Sequence, residues 1–241
     1  ESALVTDLCA RRELPHHVEF WTGGTGDGNL QAAARDARYG LIADWAYGNQ
    51  ISHVALGHTA DDQAETFLMR LARGSGVDGL SAMSPRRVQY GITWVRPFLR
   101  VERSALRTYL RAAQINWRED PSNENRDFER IRVRDALTVL GSLGVQTATL
   151  ADVAENMSRA REALDWQTFL AAQDSAKLVY GAVAIERDKF RVLPEEIGRR
   201  LIVHAITWIG QISYPPRRDA VVQVMKAIRA STGATLEGCQ V

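Results

Sequence analysis

Residues 57–76 read GHTADDQAETFLMRLARGSG and directly follow the short apolar segment SHVALG. On a helical wheel at about 100° per residue, one face of 60–73 is apolar and carries Ala64, Phe67, Leu68, Leu71 and Ala72. The other face carries Asp62, Glu65, Thr66, Met69 and Arg73. This pattern predicts a strand followed by an amphipathic helix that packs its apolar face on a sheet. The polar face then begins at the carboxyl edge of the sheet, where ligands bind in open α/β folds.

The charges of this helix have two interpretations. Acidic side chains occupy the first turn and arginines the last, which is the arrangement that the helix dipole favours in any well-capped surface helix. However, His58 and the three acids that follow it place more chemically reactive side chains in this short segment than capping of a helix requires. The helix also ends in Arg-Gly-Ser-Gly at 73–76, a turn whose amides and guanidinium can face a phosphate. The pattern alone leaves both interpretations open.

The flanking sequence alternates between strand and helix patterns. Strands that alternate with helices are typical of a parallel sheet covered by helices, so the predicted fold class is α/β. Asn29 is the expected N-cap of the second helix. Besides the opening segment, the predicted elements are helices at 2–13, 29–47 and 102–113 and strands at HHVEFW (16–21) and YGITWVRPF (90–98).

Near residue 145, the alternation of strand and helix patterns gives way to a mainly helical pattern. We predict a first domain at 1–143 and a smaller, mainly helical α+β second domain at 144–241, which we expect to continue beyond the printed end. The pattern of the second domain is a long helix at 147–173, a hairpin at 178–193 and a helix that starts at Pro194. The aromatic and histidine side chains assigned to its core are Trp166, Trp208 and His204.

Composition limits the classes of protein to consider. The chain of 241 residues has a net charge of +1, so any basic surface must be local. Its two cysteines cannot form a zinc ribbon or an iron–sulfur ligand set, and they suit a reducing cytoplasm better than a disulfide. The sequence contains no apolar run of ~18 residues and no secretory signal. We therefore expect a cytoplasmic protein without a membrane partner.

A longer stretch, GHTADDQAETFLMRLARGSGVDGLSAM at 57–83, closely resembles the signature of bacterial tRNA(Ile)-lysidine synthetases, which are N-type ATP pyrophosphatases. The resemblance implies an adenine nucleotide α-hydrolase-like domain with a parallel sheet. The last ten residues, TGATLEGCQV, are similar to a strand in the C-terminal part of that family. Further similar segments lie on both sides of 57–83, in the family's order, and together cover about 1–137. They are NLQAAARDARYGLI (29–42), VRPFLRVERSALRTYL (95–110) and WREDPSNENRDFERIRVR (117–134).

Two departures from the family pattern are visible. The family's phosphate loop, Ser-Gly-Gly-x-Asp-Ser, has no copy in this sequence, so we expect the printed chain to begin roughly 50 residues into the fold. GGTGDG at 23–28 is not that loop, because it lacks a Lys or Ser/Thr in P-loop register. Ile131 stands where the family usually has Asn, which leaves one polar contact in doubt.

The resemblance implies a carbon–nitrogen ligase that converts cytidine 34 of tRNA(Ile), with its CAU anticodon, to lysidine. ATP adenylates O2 of the base with loss of pyrophosphate, and the ε-amine of free L-lysine then attacks C2 and expels AMP. Loss of pyrophosphate calls for Mg²⁺ and cationic donors, and the cytidine must leave its stack in the anticodon loop. ATP, Mg²⁺, L-lysine and the tRNA(Ile) anticodon loop are therefore the expected cofactors and partners, and a homodimer is left open.

The resemblance also assigns the catalytic residues. Asp62 and Glu65 belong to the lysine and metal side, with Asp62 as the expected Mg²⁺ ligand. His58 belongs to the nucleotide pocket, or else has a structural hydrogen-bonding role. Asp61 joins the same acidic group or caps the helix instead.

The predicted tRNA contacts are all arginines. Arg35 and Arg38 share a helix face, either near the wobble nucleotide or towards solvent. A cluster around 126–134 suits the tRNA backbone, whereas Asp120, Ser122 and Asn123 build a turn. The predicted contacts are Arg35, Arg38, Arg73, Arg130, Arg132 and Arg134, with Arg126 beside the last three.

Two alternatives remain. A tRNA 2-thiolation enzyme of the same superfamily would generally carry paired cysteines, which this chain lacks. A non-catalytic tRNA-binding relic is supported only by the missing phosphate loop. In the main interpretation, the second domain provides tRNA selectivity through a surface that bears Arg199, Arg200, Arg217 and Arg218.

Overall fold

The computed structural model describes residues 2–23, 30–118, 129–212 and 215–240. The chain divides into two compact units, Glu1–Ser158 and Arg159–Val241. Among the described residues, no single helix has both the length and the apolar character needed to cross a membrane. Two consecutive helices, Glu129–Ser142 and Thr147–Ser175, meet these criteria only when taken together, with a bend of 105° between them.

The first unit contains a small sheet with helices around it. The described elements are, in order, α1 (Ser2–Arg11), α2 (Leu30–Gly48), β1 (His53–Ala55), α3 (Ala60–Ala72), α4 (Val77–Leu80), β2 (Arg86–Gln89), β3 (Ile92–Val95), α5 (Arg103–Ala112), α6 (Glu129–Ser142) and the first part of α7 (Thr147–Ser175). Five predicted elements of this half, at 2–13, 29–47, 52–57, 90–98 and 102–113, are confirmed with somewhat shifted bounds. The predicted N-cap Asn29 lies outside the described residues.

The described sheet of the first unit has the strand order β1-β3-β2. β1 and β3 are parallel, with His53 opposite Thr93, whereas β2 and β3 are antiparallel. Tyr90 and Gly91, which join β2 to β3, both have positive φ, as a tight two-residue hairpin turn requires. The prediction of a parallel sheet therefore holds for one pair of strands, and the short hairpin strand β2 was missed.

Two apolar clusters fix the helices of the first unit. Trp94 of β3 is fully buried and meets the ring of Tyr39 on α2 edge to face, with 4.6 Å between the centroids. On α3, Ala64 and Phe67 pack against a second cluster that includes Leu150 and Ala154 of α7. The buried face of α3 matches the helical wheel at Ala64 and Phe67, but Leu71 is 49% exposed, and Glu65, expected on the polar face, is buried.

The structure corrects two expectations for the first half. HHVEFW forms no strand, because no described strand pairs with it; Phe20 is 77% exposed, and the ring of His17 stacks on Trp45. The division between the units also lies after Ser158 and not at the predicted 143/144. The reason is that the start of α7 packs into the core of the first unit.

The second unit is helical with two hairpins. Its described elements after α7 are β4 (Ala176–Val179), β5 (Ala182–Ile185), α8 (Arg187–Arg191), α9 (Glu195–Gly210), α10 (Arg218–Ala230), β6 (Thr235–Leu236) and β7 (Cys239–Gln240). The predicted hairpin stops at Ile185 and the following residues form α8, because Phe190 is buried in the core. Leu201, Ile202 and Val221 belong to the same core.

The structure also corrects the side chains assigned to this core. Trp166 and Trp208 are 58% and 56% exposed, and His204 is exposed. Trp208 and His204 instead line an apolar groove of about 700 Å³ beside α9. Buried aliphatic side chains of α9 and α10 fill the core in their place.

Two of the four arginines predicted for the surface of the second unit have partners within it. Arg200 is buried, and its Nη1 donates to Asp165 Oδ1 at 2.6 Å. Arg199 pairs with Glu196 on the same helix. Arg217 and Arg218 are exposed at the start of α10.

Candidate active site around Glu65

The first turn of α3 is built by the acids of the opening stretch. Thr59 is the N-cap, and its backbone N–H and its hydroxyl both donate to Asp62 Oδ2, at 2.8 and 2.9 Å. Through this reciprocal capping, Asp62 stabilises the start of its own helix. Its other oxygen, Oδ1, lies 3.4 Å from Nη2 of Arg103. Asp62 therefore has one structural oxygen and one that faces the site.

Asp61 caps a different helix. Its Oδ2 accepts a hydrogen bond of 2.7 Å from the backbone N–H of Arg103, the first residue of α5. Beside it, the N–H of Ala60 donates to the carbonyl of Val101 at 3.0 Å. The capping role considered for Asp61 thus applies to α5 and not to α3. These two contacts join the starts of α3 and α5 at one place.

Glu65 is the centre of the site. It is only 1% exposed, although it is a carboxylate. Nε of Arg134 donates to Oε1 at 2.6 Å, Nη2 of Arg103 lies 3.6 Å from the same oxygen, and Nε of Arg130 lies 3.8 Å from Oε2. Burial of a lone carboxylate is very costly, and these guanidinium groups offset that cost.

One oxygen of Glu65 has unused bonding capacity. Within the described residues, Oε2 is buried and accepts no hydrogen bond. The contact with Arg130 is too long to be one. A buried acceptor without a donor is costly, so this atom is suited to receive a donor from a bound molecule.

His58 and Arg96 add two further atoms of this kind. His58 precedes α3 and is partly buried, and Arg96, just after β3, is 5% exposed. Nδ1 of His58 and Nε of Arg96 have no hydrogen-bond partner among the described residues. Arg96 is held by its Nη1, which donates to the carbonyl of Ser84 at 2.6 Å. Both residues follow strands of the parallel pair, so they meet at its carboxyl edge.

Burial and nearby positive charge lower the pKa of His58 below its ordinary value of 6.5. Burial is the largest cause, and the charge of Arg96 is the next, while Asp62 acts in the opposite direction. Arg35 and Arg130 lower the pKa of His58 further. The imidazole is therefore neutral at neutral pH and can act as a donor or an acceptor.

The predicted arginines have different positions. Arg130 and Arg134 face Glu65. Arg35 lies over the ring of Tyr39, 5.3 Å from its centroid, and acts electrostatically on His58. Among the others, Arg73 pairs with Glu129, whereas Arg38 and Arg132 are exposed. Arg126, Asp120, Ser122 and Asn123 lie outside the described residues.

Two polar side chains of α3 have purely structural contacts. Gln63 bonds both the N–H and the carbonyl of Met83, each at 2.9 Å. Arg70 donates to the carbonyls of Gly79 and Ala82. Arg70, at the end of the opening stretch, therefore fixes the α4 segment.

Sequence reasoning missed Arg96 and Arg103 as parts of the site. Arg96 follows the strand parallel to β1, so its position at the carboxyl edge was a usable signal. Arg103 had no such signal, because only the fold brings α5 to α3. Ile131, the departure from the family's Asn, is buried.

The described residues contain no group of three or more His, Cys, Asp or Glu side chains that could hold a metal ion. Asp61 and Asp62 each use one oxygen in capping, and Glu65 is surrounded by guanidinium groups.

A family model described as the PP-loop domain matches residues 1–140. These include Glu65 and the residues around it, Asp62, Arg103, Arg130 and Arg134, which we call the Glu65 cluster. The chain belongs to the PP-loop domain family. It is similar to curated tRNA(Ile)-lysidine synthases along nearly its whole length. One from Ruegeria pomeroyi is 54% identical over 99% of this chain and 57% of the relative. Others come from Wolbachia pipientis, at 36% over 92% and 52%, and from Methylobacterium nodulans, at 35% over 93% and 67%.

The chain thus spans between about half and two thirds of these relatives' lengths. Among solved structures, it resembles a U34-tRNA thiolase, NcsA from Methanococcus maripaludis, with its 4Fe–4S cluster. The TM-score is 0.54 at 12% identity, over 66% of this chain and 55% of that one. At this identity, the likeness supports the N-type ATP pyrophosphatase-like α/β fold of the PP-loop domain and nothing more.

Proposed function

We propose that this PP-loop chain forms lysidine on tRNA(Ile), as an ATP-dependent carbon–nitrogen ligase that uses free L-lysine. The observation that carries the proposal is Glu65, a buried carboxylate with one oxygen held by Arg134 and the other without a hydrogen-bond donor among the described residues. The similarity to relatives with the name tRNA(Ile)-lysidine synthase supports the same activity.

The proposed reaction has two steps. O2 of cytidine 34 attacks the α-phosphorus of ATP, and pyrophosphate leaves with the electrons of the broken P–O bond. The neutral ε-amine of lysine then attacks C2 of the activated base, and AMP leaves with O2. Loss of a proton from the newly bonded nitrogen completes lysidine.

Glu65 suits the second step. The lysine amine arrives as an ammonium, whose reference pKa is about 10.4. Oε2 of Glu65 can accept a charge-assisted hydrogen bond from it and take the proton that the amine loses before it attacks, while Arg134 keeps Oε1 in place. This geometry holds the amine at a fixed position beside the base, which is the main requirement for attack.

The arginines suit the first step. Three guanidinium groups, from Arg103, Arg130 and Arg134, face the carboxylates of Asp62 and Glu65. With the carboxylate of Asp61 beside Arg103, these charges balance, and Arg96 and Arg35, which both act on His58, add further positive charge. Fixed positive charge favours a triphosphate and stabilises the negative charge that grows as pyrophosphate leaves. Neutral His58 can bond the nucleotide without adding charge.

Mg²⁺ supplies additional charge neutralisation in reactions of this type. The Mg²⁺ role predicted for Asp62 stays a prediction, in which Oδ1, the oxygen that does not cap α3, would hold the ion. No step of the proposed mechanism depends on the metal.

We assign the second unit, Arg159–Val241, to tRNA recognition. The residues of the Glu65 cluster all lie in the first unit, and the second unit exposes Arg217 and Arg218. The proposal leaves the oligomeric state open.

The direct test incubates the intact protein with ATP, L-lysine and a tRNA(Ile) transcript with a CAU anticodon. We expect equal amounts of AMP, pyrophosphate and lysidine, with lysidine identified by mass spectrometry of the nucleosides. A matched transcript with uridine at position 34 should give no lysidine. A thiolated nucleoside, or tRNA binding without any ATP-dependent product, would replace this function with one of the two alternatives.

A further inference from the structure

The helix α5 carries arginines at a regular spacing. Arg103, Arg107 and Arg111 are four residues apart, so they lie within about 80° of one another around the helix. Each step along the axis is about 6 Å, which makes the row about 12 Å long. The sequence of the helix, RSALRTYLRA, contains no acidic residue. We call these three side chains the α5 arginine row.

The row begins in the site and ends at the surface. Nη2 of Arg103 lies 3.4 Å from Asp62 and 3.6 Å from Glu65. At the other end, Arg111 is exposed, and its guanidinium lies over the ring of Trp117, 5.4 Å from the centroid. This ring contact holds the guanidinium in one orientation while its N–H groups stay accessible to a ligand.

The neighbours of the row are polar on the solvent side. Ser104 and Thr108 are exposed and lie beside the arginines on the helical wheel, whereas Leu106 and Leu110 are partly buried. Arginine together with serine and threonine is the usual set of contacts to nucleic acid phosphates. A helix that binds a lipid surface would instead expose its leucines next to the basic residues.

Two of the three arginines of α6 have contacts inside the site. Arg130 and Arg134 face Glu65, so their charge is directed into the site. Arg107 and Arg111 extend from the same site along a different helix.

We propose that the α5 arginine row binds the phosphodiester backbone of the RNA substrate and leads one strand towards Glu65. The identity of the RNA rests on the proposed function, while the row itself rests on the geometry of α5. Contacts of this kind position the RNA without reading its bases, so they act equally on cognate and non-cognate RNA.

The test measures how RNA affinity depends on salt, because each phosphate contact releases counterions. The intact protein is compared with a double variant, Arg107→Ala with Arg111→Ala, which leaves Arg103 in the site. The probes are the anticodon stem-loop of tRNA(Ile) and a stem-loop with a scrambled loop, at about 50 to 200 mM salt. We expect the slope of log affinity against log salt to fall by roughly one to two, for both RNAs.

Two control variants separate charge from folding. Arg86→Ala with Arg87→Ala removes two exposed arginines from β2 and should leave the slope unchanged. Arg107→Lys with Arg111→Lys keeps both charges and should restore most of the slope. Thermal unfolding of all variants shows whether a loss of binding merely reflects unfolding.

Several outcomes would contradict the proposed role of the α5 arginine row in RNA binding. They are an unchanged slope in the alanine double variant, an equal loss in the β2 control, no RNA binding by the wild-type protein, or row-dependent binding to anionic phospholipid vesicles instead of RNA. Failure of the proposed function is seen separately. RNA binding that depends on the row, without lysidine formation, would contradict the proposed function but support the RNA-binding role of the row. Lysidine formation with an unchanged slope would support the proposed function but contradict the role of the row.

Discussion

Nε of Arg134 donates a hydrogen bond to Oε1 of Glu65 at 2.6 Å, although the two residues are 69 positions apart in the chain. The contact joins α6 to the polar face of α3 and supplies the nearest opposite charge to a carboxylate that is 1% exposed. It also leaves the other carboxylate oxygen available. The same pair therefore contributes both to the fold of the PP-loop domain and to the proposed chemistry.

Replacing Arg134 with alanine should destabilise the protein. The carboxylate of Glu65 would retain only the longer contacts with Arg103 and Arg130, at 3.6 and 3.8 Å. We expect the free energy of unfolding in urea to fall by about 1–3 kcal/mol, and not more, because Arg134 itself retains access to water. Arg38→Ala, at an exposed arginine of α2, is the control and should change it by less than about 0.5 kcal/mol. Equal effects of the two variants would show that the pair is not important for stability.

Replacing Asp61 with alanine should affect stability more than catalysis. The variant removes the cap on the first N–H of α5, and the loss of such a cap costs about 0.5–2 kcal/mol. Asp61→Asn keeps an acceptor oxygen and should recover most of this loss. We expect the KM for lysine to stay unchanged in both variants. A large rise in that KM would place Asp61 in the lysine site.

The lowered pKa of His58 predicts a particular dependence of stability on pH. The unfolded chain binds a proton at His58 near pH 6.5, whereas the folded chain resists protonation down to a lower pH. Stability is therefore complete above about pH 6.5 and falls as the pH drops from there towards the lowered pKa. His58→Gln cannot be protonated and should lose less stability than the wild-type protein between about pH 7 and pH 5. Melting temperatures measured across this range test the prediction, with exposed His204→Gln as the control; parallel curves for His58→Gln and wild type would contradict it.

The assignment of tRNA recognition to the second unit predicts a separation of effects. Arg217→Ala with Arg218→Ala removes two exposed charges at the start of α10. We expect a higher KM for tRNA and no change in ATP affinity, measured on the intact protein. Loss of ATP binding in a variant that still folds would contradict this division of roles.

The sequence predicted the elements whose pattern is local. The apolar face of α3 follows from a helical wheel, and Ala64 and Phe67 are buried as expected. Asp61 was also recognised as a capping candidate, whereas the capping box that Asp62 forms with Thr59 was not. For Asp61, however, the capped helix is α5, whose first residue is 42 positions further along the chain.

What the sequence did not predict depends on distant partners. HHVEFW alternates like a strand but has no strand beside it among the described residues, so it stays irregular. Arg130 and Arg134 looked like a surface for RNA because nothing in the local sequence shows that they meet Glu65. Trp166 and Trp208 were placed in a core by residue type alone, whereas aliphatic residues of α9 and α10 already fill it.

The most direct test of the role proposed for Glu65 is Glu65→Gln, with the adenylated tRNA and lysidine followed separately on the intact protein. Gln keeps the size of Glu65 but loses its charge, so about 1.5–3 kcal/mol of lysine binding should disappear, roughly a ten- to hundredfold rise in the KM for lysine. Adenylated tRNA should still form, and Glu102→Gln, at an exposed carboxylate, should behave as wild type. If Glu65→Gln fails to form adenylated tRNA while its affinity for lysine is unchanged, Glu65 serves the ATP step, and its proposed role in holding the lysine amine is contradicted.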